Sequence, residues 1–331
     1  MPRVLIAGED IPGSVGISFA DAFRSLGWTV DYFPLSAAGA THSGLLARAR
    51  ARLASRIDEA TVDRRLAAEA QRLNPDLSLV IKGHRLSAET ISTMRRASSR
   101  GVANFYPDDP FSAAAVNRVS IEALREYSSC FIFAEHLLPA YKSAGVKQAH
   151  YLPFARDPGL HAPPQDPKPE FDAVFVGNLD RDRVAWLESI ADYKLAVFGH
   201  QTKSAIPPRS RLNEARFFRP VFGRDLAEAL GRGRVSLNFM RRQNSGSHNM
   251  RSFESPACGA FTLSQRTPEL TQLFADGVEI DTFATTQELR DRLAGSLSDP
   301  GRRRRIADNG FRRVEHDTYA RRAETILSHM V

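Results

Sequence analysis

The feature of this sequence that most constrains its fold is the regular alternation of short apolar segments with amphipathic helical segments. Val4–Ala7, Leu77–Ile81 and Val102–Tyr106 are typical of strands that are buried on both faces of a sheet. Helical spacing or turn residues such as Asn74-Pro75 separate each of these runs from the next. Strands and helices in strict alternation predict parallel sheets covered by helices on both faces, so the predicted fold class is α/β.

The alternation forms two series with a proline-rich stretch between them. Residues 155–170 contain five prolines and no periodic apolar pattern, which is typical of a linker. A chain of 331 residues also exceeds the usual size of one domain. We therefore expect two doubly wound domains, an N-terminal Rossmann-like domain at 1–154 and a C-terminal one at 171–331. The last helix of the chain is expected to be able to pack back on the N-terminal domain.

Cap and stop residues predict where individual helices begin and end. Ser87 can cap a helix that Gly101 terminates, Asp225 can cap another, and Thr285 with Glu288 forms a capping box. The periodic segments then predict helices at residues 17–26, 45–73, 116–127, 136–144, 182–191, 225–230, 250–257, 286–297, 302–310 and 319–330, with strands at 29–33, 130–134, 150–152, 173–176, 195–198, 235–238 and 260–263.

Composition narrows the class of protein but does not choose a function. The formal net charge is +7, and all but six of the 45 basic residues are arginine. Arginine suits bidentate recognition of phosphate, so the excess fits a phosphorylated ligand, a nucleic acid or an anionic membrane face. Coding bias would produce the same excess. The two cysteines, Cys130 and Cys258, lie far apart in apolar runs and indicate neither a disulfide framework nor a metal site.

Targeting segments are not evident in the sequence. No run of about 18 apolar residues occurs, and the first apolar segment is too short for the core of a signal peptide. We therefore expect a cytoplasmic protein. The Arg-rich and Ala-rich segment 45–73 predicts helices with a basic outer face, and Arg48, Arg50, Arg52 and Arg56 on it suggest a peripheral contact with the inner face of a membrane.

Polar residues collect where the predicted strands end, which is where open parallel sheets bind ligands. If the two domains face one another across a cleft, these residues would surround a substrate. In the first half they are Glu9, Asp10, His84, Asp108 and Asp109, and in the second half Asn178, Asp180, Arg181, Arg183, His200, Asn238 and Arg241.

The loop after the first strand carries glycines at Gly8, Gly13 and Gly16. Their spacing is not the Gly-x-Gly-x-x-Gly fingerprint, and the second strand has no acidic residue at the required point, so a nicotinamide site is not indicated. The glycines fit a close approach of the helix N-terminus to a ligand, or a plain tight turn, about equally well.

Residues 238–331 carry the most specific pattern. An Asn-x-Arg-x-Phe-Glu-x-x-Ala-Cys-Gly core is followed by Phe-x-x-Gly-x-Glu, then by Arg-x-x-Ile-Ala-x-x-Gly and a Thr-Tyr-x-x-Arg tail. With this pattern, residues 171–331 resemble GT-B glycosyltransferases of the family represented by the spore maturation protein CgeB. The first half of the chain fits more loosely, through Lys82-Gly83, Asp108-Asp109 and Tyr141-x3-Gly145. The residues that carry the resemblance are Asn249, Arg251, Phe253, Glu254, Ala257, Cys258, Gly259, Phe274, Gly277, Glu279, Arg303, Ile306, Ala307, Gly310, Thr318, Tyr319 and Arg322.

The resemblance implies a donor site for a nucleotide sugar. It implies that Glu254 accepts both ribose hydroxyls, which a carboxylate can do at once. Arg181 or Arg183 would offset the charge of the departing diphosphate, with Arg251 as a second candidate at a helix N-terminus. Related retaining enzymes have another glutamate eight residues before this one, where this chain has Gly246. The implied donor-side residues are Gly177, Asn178, Arg181, Arg183, Gly199, His200, Asn238, Asn249, Arg251 and Glu254.

Each of these residues also has an interpretation without a ligand. Glu254 can pair with Arg251 on the same helix face, and Arg181 and Arg183 can belong to a solvated loop. Asp108-Asp109 before a proline is common turn chemistry. The catalytic candidates in the first half are nevertheless Asp108, Asp109 and His84. One of the two carboxylates would contact the acceptor hydroxyl or the donor sugar, and in an inverting enzyme it would be the general base. His84 is a loop residue that could contact the ligand.

The function expected from the resemblance is transfer of a hexose from a nucleoside diphosphate sugar to an acceptor hydroxyl. The donor would be UDP- or dTDP-linked, and the acceptor would be a glycan, a lipid-linked molecule or a small molecule. The resemblance favours retention of configuration, with the leaving phosphate itself assisting deprotonation of the acceptor and with neither cofactor nor metal. There are two alternatives. One is a nucleotide-sugar epimerase of the same architecture, and the other is a catalytically degenerate module that binds a sugar or a nucleotide. No stacking platform accompanies the positive charge, so we do not expect a nucleic-acid partner.

Overall fold

The computed structural model describes residues 1–35, 61–112, 115, 118–200 and 206–330. The chain forms two compact units, one comprising Met1–Pro153 with Tyr319–Val331 and the other Phe154–Thr318. We call these unit 1 and unit 2. The predicted membrane-facing residues Arg48, Arg50, Arg52 and Arg56, and most of the predicted helix 45–73, lie outside the described residues.

Unit 1 is built on a parallel sheet of six strands in the order β2-β1-β3-β4-β5-β6. Its strands are β1 (Arg3–Gly8), β2 (Thr29–Pro34), β3 (Leu77–Ile81), β4 (Val102–Tyr106), β5 (Ser129–Ile132) and β6 (Ala149–Tyr151). Its helices are α1 (Val15–Ser25), α2 (described over 61–73), α3 (Ala88–Ala97), α4 (Ile121–Glu126), α5 (Leu138–Ser143) and the final helix, α12 (Tyr319–His329).

Unit 2 repeats this plan, with six parallel strands in the order β12-β11-β10-β7-β8-β9. Its strands are β7 (Phe171–Val176), β8 (Leu195–Phe198), β9 (Arg216–Phe218), β10 (Gly233–Asn238), β11 (Thr262–Gln265) and β12 (Asp281–Phe283). Its helices are α6 (Arg181–Glu188), α7 (Asp225–Gly231), α8 (Arg251–Ala257), α9 (Pro268–Leu273), α10 (Thr286–Ser298) and α11 (Pro300–Arg313).

Apolar residues cover both faces of the unit 2 sheet. Ala173 and Phe175 of β7 join one buried cluster, while Val174 and Val176 join another. Successive side chains of a strand point to opposite faces, so the two clusters lie on opposite sides of the sheet. This explains why the strand reads as a continuous apolar run, and it confirms the α/β prediction.

Helix boundaries follow the side chains that cap them. Ser87 accepts a hydrogen bond from Thr90 N at 3.1 Å, and Thr285 accepts one from Glu288 N at the same distance. Both predicted caps are therefore confirmed. The predicted helix at 116–127 is wrong in extent, because Ser120 caps a helix that begins only at Ile121. Asp225 is not a cap: it is the first residue of α7, which has no side-chain cap.

The proline-rich stretch is partly packed inside unit 2. Asp157 and His161 are buried, with His161 only 2% exposed. The backbone N–H of His161 donates to Asp157 O at 2.7 Å, which closes a turn over residues 157–161. This segment therefore contributes buried polar groups to unit 2.

Candidate functional site

The order of strands in each sheet creates a topological switch point, where consecutive connections leave in opposite directions. In unit 2 this point lies between β7 and β10, and in unit 1 between β1 and β3. Ligands of open α/β sheets bind at the carboxyl ends of strands at such points. We describe the two edges separately.

Arg183 joins the two strand ends at the switch point of unit 2. Its Nη1 donates to Asn178 O at 3.0 Å, and its Nη2 donates to Phe239 O at 2.9 Å. The guanidinium also lies 5.5 Å from the centre of the Phe175 ring. Burial lowers the pKa of Arg183 to about 10. The described geometry therefore uses Arg183 to hold the β7 and β10 ends together.

A cavity of about 400 Å³ opens beside this clamp, at the N-terminus of α6. Asp180 caps the helix by accepting from Arg183 N at 2.9 Å. Three exposed arginines and two aspartates give the lining a net positive charge, to which the helix N-terminus adds a partial charge of the same sign. The lining residues are Asn178, Leu179, Asp180, Arg181, Asp182, Arg241 and Arg242.

Two glycines bring the ends of β7 and β8 unusually close at the same edge. A Cβ atom at Gly199 would lie 2.1 Å from Gly177 O, so no side chain fits there. The backbone N–H of His200 donates to Asn178 Oδ1 at 3.2 Å. The four predicted residues Gly177, Asn178, Gly199 and His200 therefore lie together, with the glycines forming a close backbone contact and His200 exposed.

Asn238 is the centre of a buried amide and hydroxyl network. Its Nδ2 donates to Ser252 Oγ at 3.2 Å and to Ser264 Oγ at 3.1 Å, while its Oδ1 accepts from Asn249 Nδ2 at 2.8 Å. Asn238 ends β10, Ser264 is on β11, and Ser252 is on α8. The network thus attaches the start of α8 to the edge of the sheet, which fixes where Arg251 and Glu254 lie.

Glu254 is a buried carboxylate with one cationic neighbour. It is 3% exposed, and its Oε2 accepts from Arg251 Nη1 at 2.6 Å. Its Oε1 lies 3.7 Å from Nε2 of His161. The pairing of Arg251 with Glu254, one of the two interpretations of the sequence, is present in the structure. Burial of the thiol raises the pKa of the neighbouring Cys258 to about 12.

His161 was not among the residues singled out from the sequence, yet it faces Glu254. Its Nδ1 accepts from Asp157 N at 3.0 Å, so the proton of the neutral ring is on Nε2, the atom directed at the carboxylate. Burial lowers the pKa of His161, which favours the neutral ring. A single histidine in a proline-rich stretch gives no periodic or spacing signal, so sequence reasoning had no means of finding it.

A second buried histidine, His248, lies in the motif segment. Its Nε2 accepts from Phe154 N at 3.2 Å, and its Nδ1 lies 3.1 Å from Glu269 Oε1. Phe154 begins unit 2, so this contact fastens the entry of the chain to the loop before α8. The position of His248 beside the motif residues does not predict this contact, because Phe154 and Glu269 lie in other parts of the sequence.

In unit 1, three charged side chains meet at the strand ends beside the switch point. Lys82 Nζ lies 3.3 Å from Asp108 Oδ2 and 3.6 Å from Glu9 Oε1. Lys82 itself has a φ of 64°, in the left-handed region that a residue other than glycine rarely adopts. The ends of β1, β3 and β4 thus contribute one member each to a charged cluster that remains open to solvent.

The two neighbouring aspartates have different surroundings. Asp109 accepts from Phe111 N at 2.9 Å, which is the turn chemistry expected before a proline. Asp108 instead faces Lys82. His84 Nε2 lies 2.6 Å from the buried Tyr106 hydroxyl, and burial, followed by the charge of Lys82, lowers the pKa of His84.

The glycine loop of unit 1 is occupied by a side chain of the same unit. The hydroxyl of Tyr32 donates to Glu9 O at 2.8 Å. A Cβ at Gly8 would lie 2.9 Å from that hydroxyl, and one at Gly16 would lie 2.5 Å from it. Burial raises the pKa of Tyr32 to about 12. The loop therefore forms a turn closed by Tyr32, with Gly13 at a φ of 74°.

Clusters of metal-binding side chains are absent from both edges in the part of the chain that the structure describes. Within the described residues, no group of three or more histidine, cysteine, aspartate or glutamate side chains is arranged to hold one. The same residues contain no helix long and apolar enough to cross a membrane.

A protein-family model matches part of the chain. Residues 181–328, a little under half of the chain, match the model of a family described as "Glycosyl transferase-like". No curated protein matches the sequence.

Solved structures resemble the whole chain. Sucrose-phosphate synthase from Thermosynechococcus elongatus is 16% identical, with a TM-score of 0.68 over 99% of this chain and 98% of that one. Anabaena Alr3699/HepE in complex with UDP and glucose is 12% identical, with a TM-score of 0.68 over 99% of each chain. A mutant of T4 phage BGT in complex with UDP-glucose is 13% identical, with a TM-score of 0.62 over 99% of each chain.

The fold is that of the GT-B glycosyltransferases. Two parallel six-stranded sheets with flanking helices confirm the fold class predicted from the sequence. The match of residues 181–328 and this fold together support a glycosyltransferase.

Proposed function

We propose that this protein transfers a sugar, a hexose in the simplest case, from a nucleoside diphosphate sugar to an acceptor hydroxyl. The observation that carries the proposal is the cavity at the carboxyl edge of unit 2, with Arg181, Arg241 and Arg242 in its lining. A diphosphate carries the charge that such a lining attracts, and arginine binds phosphate oxygens in a bidentate manner.

The donor is proposed to be UDP-linked, with dTDP-linked sugars as the second choice. Support comes from two structural neighbours, HepE and the T4 phage enzyme, which were solved with UDP and with UDP-glucose respectively. In this assignment Glu254 accepts the ribose hydroxyls after Arg251 shifts from its carboxylate, and Gly177, Asn178, Gly199 and His200 border the site. Asn238 and Asn249 hold the segment in place, and Arg183 supports the loop without contacting the donor.

The exposed arginines are proposed to offset the charge of the leaving diphosphate without a bound metal. A T4 phage neighbour was solved with UDP and Mn2+, so this part of the proposal is tested directly by assaying transfer in EDTA and in Mn2+. Retention of configuration is proposed from the resemblance of the sequence to the CgeB-like family, to which we propose that the chain belongs. Proton NMR of the first-formed anomer decides it.

In unit 1, Asp108 is proposed to contact the acceptor hydroxyl, with Lys82 and His84 shaping its surroundings. Asp109 is proposed to stabilise the turn that it closes. The glycines of the loop, Gly8, Gly13 and Gly16, are proposed to allow Tyr32 to pack there. The proposed setting is the cytoplasm, at the inner face of a membrane where the acceptor is lipid-linked.

Nucleotide binding by matched variants tests the proposal. We expect calorimetry to detect binding of UDP, in preference to GDP, CDP and ADP. Arg241→Ala and Arg242→Ala should each weaken binding of UDP by about 10- to 100-fold, because each removes a charge-assisted hydrogen bond to phosphate. Arg304→Ala is the control, since Arg304 is highly exposed and paired with Asp308 on α11. Absence of nucleotide binding, or equal losses in all three variants, would contradict the proposal.

A further inference from the structure

Phe222 is unusual among the aromatic residues of this protein. The chain has 20 phenylalanines, two tryptophans and seven tyrosines, and all of them lie in the described part of the structure. Phe222 is the one that is exposed, at 50%. A single exposed apolar side chain is ordinary on a protein surface, so the significance of this ring depends on where it lies.

The loop that carries Phe222 directs it outward from a fixed position. It follows β9, at the same carboxyl edge of the sheet as Asn178 and His200. Val221 packs against the apolar cluster that contains Leu226, and Gly223 has a φ of 56°, which a residue with a side chain rarely adopts. The residue before Phe222 is thus packed inward and the residue after it turns the chain, which leaves the ring on the surface.

The same loop is attached to the turn that faces Glu254. Arg224 Nε donates to Gly159 O at 3.1 Å, and a Cβ at Gly223 would lie 3.6 Å from Leu160. The next residue of that turn is His161, whose Nε2 faces Glu254. One short turn therefore separates the exposed ring from the carboxylate proposed to bind the ribose.

We propose that Phe222 is the stacking platform for the nucleobase of the donor. The inference rests on the proposed function, because it takes Glu254 as the ribose contact. A base is joined directly to its ribose, so a ribose held at Glu254 presents its base to the neighbouring surface. An aromatic ring stacks on any base, so Phe222 supplies affinity, and the choice among bases comes from other contacts at the edge.

The test measures binding of UDP and of pyrophosphate to the full chain by calorimetry. Phe222→Ala should weaken binding of UDP by about 5- to 100-fold, the effect of removing one base-stacking aromatic ring. Binding of pyrophosphate, which has no base, should be unchanged. Phe222→Trp should bind UDP at least as tightly as the unaltered chain. Val278→Ala is the matched control, because Val278 is also an exposed apolar residue of unit 2, at 51%.

The possible outcomes separate the two proposals. If the unaltered chain binds UDP and Phe222→Ala binds it equally well, stacking is overturned and the proposed function stands. An equal loss of UDP and pyrophosphate in Phe222→Ala also overturns stacking, since it indicates a distorted loop. If the unaltered chain binds neither, the proposed function fails and this inference fails with it.

Discussion

At the scale of single residues, surroundings assign different roles to side chains that are chemically identical. Arg181 lines the cavity at the edge of unit 2, whereas Arg183, two residues later, is buried and donates to two backbone carbonyls. Asp108 and Asp109 differ in the same way, since one faces Lys82 and the other closes a turn. The sequence identified all four as candidates, but it could not rank them, because their partners come from other strands.

The two aspartates offer a matched pair of variants. Asp108→Asn should slow release of UDP during transfer by about 10-fold, because a neutral amide accepts a hydrogen bond from the acceptor hydroxyl less strongly than a carboxylate does. Asp109→Asn should leave the rate within about two-fold, because an amide oxygen can still accept from Phe111 N. A continuous assay of UDP release, with the most effective donor, compares them. Equal rates for the two variants would contradict the role of Asp108.

A check on folding accompanies this comparison. The Asp108–Lys82 pair is partly exposed, and such pairs contribute about 1 kcal/mol or less to the free energy of unfolding. Both variants should therefore unfold near the transition of the unaltered chain in urea. A large shift for Asp108→Asn would mean that its slower turnover reflects instability.

At the scale of elements, the ends of β7 and β8 approach each other through two glycines. Gly199→Ala would place a Cβ 2.1 Å from Gly177 O, so the β7 and β8 ends must move apart. We expect a loss of about 2 kcal/mol or more in the free energy of unfolding, together with weaker binding of UDP. Gly295→Ala is the control, because Gly295 lies inside α10 with open space around its Cβ position. That change should be neutral or stabilising by up to about 1 kcal/mol. The free energy of unfolding of both variants is measured in urea. An unchanged value for Gly199→Ala would contradict the close contact between Gly199 and Gly177.

The long elements could be predicted from the sequence, but two of the three-residue strands could not. Runs such as Leu77–Ile81 and the capped helix after Thr285 carry strong apolar periodicity, and both are present. The sequence analysis predicts no strand at Arg216–Phe218 or at Asp281–Phe283, since three residues give little periodic signal. The equally short strand Ala149–Tyr151 overlaps the predicted strand at 150–152. The helix predicted to start at 116 begins at Ile121, where Ser120 provides the cap.

At the scale of the whole molecule, the sequence motif and the topology supply different parts of the site. The motif around Glu254 predicts which half binds the donor, and the strand-end rule predicts Asn178, Arg181 and Asp108 as site residues. His161, Arg242 and Phe222 could not be found, because their relation to the site depends on a buried turn and two loops that have no periodic pattern. The fold was thus predictable from local apolar patterns, while the contacts that refine the site arise from tertiary packing.

The path of the chain provides the last prediction. The final helix, α12, follows unit 2 in sequence but belongs to unit 1, where the Tyr319 and Phe19 rings lie 5.1 Å apart. Ala323 on this helix is fully buried. Ala323→Glu would bury an unpaired carboxylate, so we expect unit 1 to lose about 3 kcal/mol or more of stability. Hydrogen exchange should accelerate in α1 and β4, while peptides of β7 and β10 remain protected. Arg321→Ala, at an exposed position of the same helix, should change neither group of peptides. Unchanged exchange in α1 of the Ala323→Glu variant would contradict the assignment of the chain's end to unit 1.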